Sequence, residues 1–285
     1  MITKNYNYIK YYHLKLNELK IPFKEKLIKT SFGKTNIIIC GDSNKPPFFL
    51  VHGLNSAAPF AIESVQFLLK EHHIFAIDLL GEPNISDLVK ISKKDDSYGK
   101  WLLEITNYFN IKNITLCGIS FGAFPILKSL LIDNKNIKQV FLISPAGIIH
   151  GNILASITKF LIPMKLFQLT KKNHFLKKCL NSIYNDFDSI TFAYLKEVFL
   201  HFKMDFSPTP NFKTEDLATI KTPISIISSK KDFFVPGEKL KKKSEKGFNN
   251  LKNFIVLENA KHVPSLMVLE DAFTKLSETK KSDEN

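Results

Sequence analysis

No arginine occurs among the 285 residues. All 40 residues counted as lysine or arginine are therefore lysine, and the side chain best suited to bidentate contacts with phosphate and guanine is missing. A formal net charge of +13 would otherwise raise nucleic acid as a partner; without arginine that reading is weak, and none is expected. Lysine excess beside many Asn and Ile residues matches AT-rich codon usage, and the densest run, residues 239–246, reads as the solvated face of a helix. Cysteine is scarce: Cys40, Cys117 and Cys179 are odd in number, widely spaced and set in apolar surroundings, which excludes a disulfide framework and suits reduced thiols. There is no Cys-x-x-Cys or His-Glu-x-x-His pattern. His72 and His73 beside Glu71 are consecutive and cannot converge on one ion, so neither a metal nor a cofactor is expected. No apolar stretch reaches the roughly 20 residues that span a bilayer. Residues 1–10 hold no unbroken apolar segment and no small-residue cleavage site, so no secretory signal is read and a soluble, cytoplasmic protein is expected.

Glycine is also sparse, 11 in all, which makes Gly118-Ile119-Ser120-Phe121-Gly122 stand out. A G-x-S-x-G match arises by chance only about 0.03 times in such a chain. It lies between an apolar run, Ile114-Thr115-Leu116-Cys117, and a helix-like run, Ala123-Phe124-Pro125-Ile126-Leu127. Strand, sharp turn and helix in that order read as a nucleophile elbow with Ser120 at its apex and Gly118 and Gly122 relieving the turn. Cys117, inside the strand, reads as a buried structural thiol.

Around the elbow the pattern alternates. Residues 21–30 and 36–40 suggest an opening antiparallel pair. Phe48-Phe49-Leu50-Val51 and Ile74-Phe75-Ala76-Ile77 are short continuous apolar runs of the kind buried on both faces of a parallel sheet, and helical spacing surrounds Ser64 to Lys70 and Trp101 to Phe109. After Val140-Phe141-Leu142-Ile143 the alternation stops for roughly 65 residues of helical pattern, then resumes at residues 224–227 and 253–257. The chain is expected to be an α/β protein with a mostly parallel central sheet flanked by helices: core residues 1–147, a helical cap insertion over 148–215, core again over 216–277, and a disordered tail over 278–285.

A serine hydroxyl needs an imidazole to take its proton and a carboxylate to orient that imidazole. Asp232 follows one resumed strand and His262 the last, both on loops at the carboxyl edge where open parallel sheets build sites. The order Ser120, Asp232, His262 is the hydrolase order. With Phe49-Leu50-Val51-His52-Gly53, Asp78-Leu79-Leu80-Gly81, the elbow, Asp232-Phe233-Phe234-Val235-Pro236 and Lys261-His262-Val263-Pro264 all in sequence, the chain resembles α/β-hydrolase fold enzymes of the capped carboxylesterase type. The resemblance covers about residues 22–277. It implies an acyl-serine at Ser120, His262 as base and acid, Asp232 as its orienting carboxylate, and an oxyanion hole from the backbone amides of Phe121 and Leu54, with Asn55 as the alternative to Leu54. It also implies that His52, with Gly53, supports the oxyanion loop. The stretch from Asp78 to Ser86 departs from the pattern D-x-x-G-x-G-x-S through Pro83, so the pocket wall it forms is this chain's own.

The function expected is hydrolysis of carboxylic esters with apolar or aromatic acyl groups. The alternatives are a non-catalytic protein holding a small ligand in the same fold, and a lipase-like enzyme acting at a membrane surface. The basic amphipathic cap is read first as a roof whose apolar face covers the pocket while its lysines face water; contact with an anionic lipid surface is the second reading.

Overall fold

The structure is a computed structural model and describes residues 7–283, with side chains as far as residue 278. Eight strands form one sheet: β1 (Phe23–Thr30), β2 (Gly33–Cys40), β3 (Pro47–Val51), β4 (His73–Ile77), β5 (Ile114–Ile119), β6 (Ile137–Ile143), β7 (Ile224–Ser229) and β8 (Leu251–Leu257). Their spatial order is β1-β2-β4-β3-β5-β6-β7-β8. β1 and β2 form an antiparallel ribbon, β2 joins β4 antiparallel, and every later pairing is parallel.

Burial on both faces explains the unbroken apolar runs. In β3, Phe48 and Leu50 pack into one apolar layer while Phe49 and Val51 pack into the other, as the two-residue period of a strand requires. The first layer is covered by α1 (Asn7–Glu18) and α2 (Ala58–Ser64), and the second by α3 (Ser97–Tyr108) and α4 (Ala123–Ile132). Trp101 of α3 is fully buried and its indole N–H donates to Thr35 Oγ1 at 2.9 Å.

Between β6 and β7 the chain leaves the sheet. It forms α5 (Ile153–Ala155), a π-wound stretch (Ser156–Leu161), α6 (Ile162–Thr170), α7 (Asn173–Ile183), α8 (Ser189–His201) and α9 (Thr214–Ala218). The first three are one continuous helix of 18 residues, Ile153–Thr170, with mean hydropathy 1.3, which by length and composition alone could cross a membrane. The sequence reading missed it because Lys159 and Lys165 interrupt the apolar run. After β7 come α10 (Gly237–Gly247), β8 and α11 (Leu266–Asp283). α11 runs beyond Ser277, so residues 278–283, read from composition as a disordered tail, are helical; Glu278 and the lysines that follow are good helix formers. Residues 284 and 285 of that tail lie outside the described residues.

α1 was not anticipated from the sequence. Its buried face, Tyr8, Tyr12, Lys15 and Leu16, has helical spacing but only one aliphatic residue. Lys15 is fully buried, and its ammonium donates to Glu18 (2.7 Å), to Glu63 of α2 (2.6 Å) and to Asp188, which also caps α8. Desolvation pulls Lys15 downward, but the hydrogen bonds it donates to Asp188, Glu18 and Glu63 outweigh it and hold the ammonium above the ordinary lysine value. One lysine thus pins the first helix to both the core and the insertion.

Candidate active site

Three parallel strands and their loops bring distant residues together. β5 ends at Ile119, and Ser120 sits in the left-handed region at φ +52, a conformation costing a non-glycine residue roughly 1–3 kcal/mol. The turn is possible because its neighbours lack side chains. A Cβ on Gly122 would stand 2.1 Å from the Val51 carbonyl oxygen, and one on Gly118 would stand 2.6 Å from the Ala123 nitrogen. Gly53 faces the serine itself: a Cβ there would meet Ser120 Cβ at 3.2 Å.

His262 Nε2 lies 2.9 Å from Ser120 Oγ, and its Nδ1 lies 2.7 Å from Asp232 Oδ2. The second carboxylate oxygen, Oδ1, accepts from the backbone N–H groups of Phe234 (2.8 Å) and Val235 (2.9 Å). Every polar atom of the relay therefore has a partner, and the Asp232 side chain is fully buried. With Asp232 accepting at Nδ1–H, Nε2 of the neutral ring is left bare toward the serine hydroxyl. Phe234 packs its ring edge-on to the imidazole, 5.3 Å between centroids.

The His262 loop is fastened from the other side by the insertion. Tyr184 and Val263 form a parallel bridge, Val263 N–H donates to the Ile183 carbonyl (2.8 Å), and Asn185 N–H donates to the Val263 carbonyl (3.0 Å). Asn185 Oδ1 accepts from Lys261 N–H at 2.8 Å, and the Lys261 ammonium reaches the carbonyls of Asn181 and Tyr184. Nothing local in the sequence announces this staple, because its two halves are 80 residues apart in Asn181 and Lys261.

His52 lies at the end of β3 beneath the turn that carries Gly53 and Leu54. Its Nδ1–H donates to the Gly53 carbonyl (2.7 Å), and Nε2 accepts from Leu79 N–H (3.0 Å). Burial pushes its pKa down to about 4, so the ring stays neutral, as the acceptor role requires. Beside it Asp78, fully buried, accepts from Ala58 N–H, Tyr12 Oη–H and Asn36 Nδ2–H, and burial raises its pKa to about 6.

The loop after Asp78, the stretch that departs from the resembled pattern, contributes a residue that sequence reasoning missed. Glu82 is nearly buried and its Oε2 accepts the Asn55 amide at 2.6 Å. Asn55 is itself in the left-handed region at φ +56. Its amide is committed to Glu82, whereas the Leu54 amide donates to no group among the described residues. A carboxylate directly after a left-handed glycine, Gly81, is a faint signal, and only the fold shows what it reaches.

The relay opens into a cavity of about 1030 Å³. Its walls are largely apolar, including Phe60, Ile119, Phe160, Phe187, Phe206 and Phe234, with Glu63, Asp186, Asp188 and Asp205 as its charged groups and no lysine. Among the described residues, the carboxylates of Glu18, Glu63 and Asp188 are spaced closely enough to hold a metal ion, but their oxygens surround the Lys15 ammonium. Cys40, Cys117 and Cys179 are buried free thiols; burial pushes Cys40 and Cys179 up to about 12 and Cys117 higher still.

Comparison with known proteins places this architecture. A family model described as the Ndr family matches residues 25–185, a span holding Ser120 but neither Asp232 nor His262. An uncharacterised carboxylesterase, nap, of Bacillus subtilis is 26% identical over 139 residues, covering 49% of this chain and 46% of that protein. The carboxylesterase YbfK of the same organism is 24% identical over 119 residues, covering 42% of this chain and 40% of that protein. The matched stretches thus span less than half the length of either relative. The crystal structure of naproxen esterase (carboxylesterase NP) from Bacillus subtilis superposes with a TM-score of 0.81 over 98% of each chain at 18% identity, a likeness of fold.

Proposed function

We propose, from the premise that the chain belongs to the Ndr family and has the α/β-hydrolase fold, that it is a serine hydrolase cleaving carboxylic esters with apolar or aromatic acyl groups. The observation that carries this reading is the unbroken line of contacts from Asp232 through His262 to Ser120, 2.7 and 2.9 Å long, at the floor of an apolar cavity. Ser120 Oγ attacks the ester carbonyl as His262 Nε2 takes its proton, and Asp232 stabilises the resulting imidazolium. The oxyanion of the tetrahedral intermediate is held by the amides of Phe121, in the first turn after the elbow, and Leu54. Leu54 is chosen over Asn55 because the Asn55 amide already serves Glu82. Collapse passes the proton from His262 to the departing alcohol and leaves an acyl-serine. Water then attacks that acyl group with His262 again as base, releasing the acid.

The cavity wall sets the substrate charge. Of its four carboxylates, Glu63 and Asp188 are paired with Lys15 and Asp205 with Lys93, leaving Asp186 without a lysine partner among the described residues, so the largely apolar walls and this one acid favour a neutral acyl chain over an anionic one. Hydrolysis of p-nitrophenyl esters from acetate to decanoate by the wild type and by Ser120→Ala tests the mechanism, with circular dichroism confirming that both are folded. Ser120→Ala is expected to lose at least about 10³-fold in kcat. A p-nitrophenyl ester of a dicarboxylic acid should react more slowly than the neutral ester of equal length. An active Ser120→Ala variant, or a folded wild type inert on the whole series, overturns the assignment, and the second result points to ligand binding without turnover.

A further inference from the structure

The insertion helix Ile153–Thr170 is two-sided. Phe160, Met164 and Phe167 are buried, while Ile153 (73% exposed), Leu154 (71%), Ile157, Ile162, Leu166 and Leu169 (79%) are exposed on the other side, Ile153 and Ile157 of them lining the cavity that holds Ser120. A regular α-helix would not keep those outward positions aligned, because the step from Ile157 to Ile162 is five residues. Here the helix is wound as a π turn from Ser156 to Leu161, with Ile162 N–H donating to the Ile157 carbonyl, and the wider turn absorbs the extra residue. Pro163, which cannot donate to a carbonyl four residues back, sits just beyond this turn. The result is one apolar stripe running the length of the helix, about 27 Å.

The stripe adjoins a shallow groove of about 410 Å³ formed by Leu161, Ile162, Lys165, Leu166, Leu169 and Phe206. Leu161 and Phe206 also line the cavity that holds Ser120, so groove and cavity share a wall. The helix that carries the stripe and α7 beside it hold charge of one sign. Residues 148–185 contain six lysines, all exposed, and no aspartate or glutamate. Lys165 lies in the groove, and Lys171 and Lys172 follow directly on the helix end. None of these three forms an ion pair among the described residues.

We propose that this helix docks the protein on an anionic lipid surface, lying in the interface with its stripe among the acyl chains and its lysines at the headgroups. A helix with its opposite face packed on α7 and α8 lies on a bilayer rather than crossing it. The six lysines and the absence of acidic residues match anionic headgroups, whereas a second copy of this chain would set lysines against lysines. Docked this way, the groove opens toward the lipid beside the catalytic cavity. The docking itself is independent of the esterase reading.

The test is cosedimentation of the full-length Ser120→Ala protein with vesicles of phosphatidylcholine alone and with about 30% phosphatidylglycerol, so that binding is read without turnover. Binding to the anionic vesicles only, weakened by salt, is expected. Leu154→Asp/Leu169→Asp should weaken it about tenfold or more. Should that variant misfold, Lys165→Glu/Lys172→Glu on exposed positions should weaken binding by a similar factor, while Lys242→Glu/Lys246→Glu on α10, an equal change of charge elsewhere, should have much less effect. The proposal is overturned if the protein ignores anionic vesicles, if both lysine pairs act equally, or if light scattering shows a dimer that Leu154→Asp/Leu169→Asp converts to a monomer.

Discussion

Glu82 shows how a single side chain outside the relay sets the shape of the site. Burial raises its carboxyl from the ordinary 4.5 to about 7 while it holds the Asn55 amide behind the oxyanion turn. Its folded pKa lies above its unfolded one, so the folded state binds the proton more tightly. The stability this residue contributes is complete below about 4.5 and is lost as the pH rises through about 7. The shift corresponds to about 3 kcal/mol. Asp78, raised to about 6, acts in the same direction, whereas His52, lowered to about 4, gains stability as the pH rises through the same range. Because these contributions oppose one another, the difference between variant and wild type isolates Glu82. In urea titrations Glu82→Gln should equal the wild type near pH 4 and exceed it by up to about 3 kcal/mol at pH 8; a constant difference across that range would refute the linkage. Glu82→Ala frees the Asn55 amide and loosens the turn that presents Leu54. It should lower kcat about tenfold with little change in KM, since the oxyanion donor acts mainly in the transition state.

At the scale of elements, α1 is held less by apolar area than by Lys15, whose ammonium is buried among Glu18, Glu63 and Asp188. Lys15→Met leaves three carboxylates facing one another and should cost about 3 kcal/mol, the lower end for a broken buried pair because the carboxylates remain partly exposed; a loss under about 1 kcal/mol in chemical denaturation would show that the cluster does little. This helix also marks the limit of reading the chain by pattern. The central strands were legible because a strand buried on both faces must be continuously apolar, and Ser120, Asp232 and His262 could be placed near one another because each follows the carboxyl end of a parallel strand. α1 was not, since two tyrosines and a lysine occupy the face that aliphatic residues usually announce. Glu82 and the pairing of residues 183–185 with 261–263 were not either, because contacts between distant loops leave no local period. The continuous insertion helix was hidden by its two lysines; its Ile153, Ile157, Phe160 and Leu161 line the cavity, while the outward face of Leu154, Ile162, Leu166 and Leu169 is visible only once Met164 and Phe167 are seen buried in the core.

For the whole molecule, the insertion and the sheet share one apolar cluster. Phe160, Met164, Phe167, Leu176 and Val198 of the insertion belong to the same contiguous set as Phe60, Ile143, Ile227 and Leu269 of the core. Such a set melts together, so calorimetry should give a single transition with a calorimetric to van't Hoff enthalpy ratio of about one; a separate early transition abolished by removing residues 148–215 would contradict this. The bridge between Tyr184 and Val263 carries the coupling into descent. An exchange of the insertion between two related genes would deliver one side of a paired edge to a host whose His262 loop was shaped by another. Chimeras with crossovers only at residues 148 and 215 should therefore be poor hydrolases, and activity should return when the segment around residues 258–266 travels with them. Lineages of this architecture would then diversify by changing side chains within an inherited roof more readily than by trading roofs.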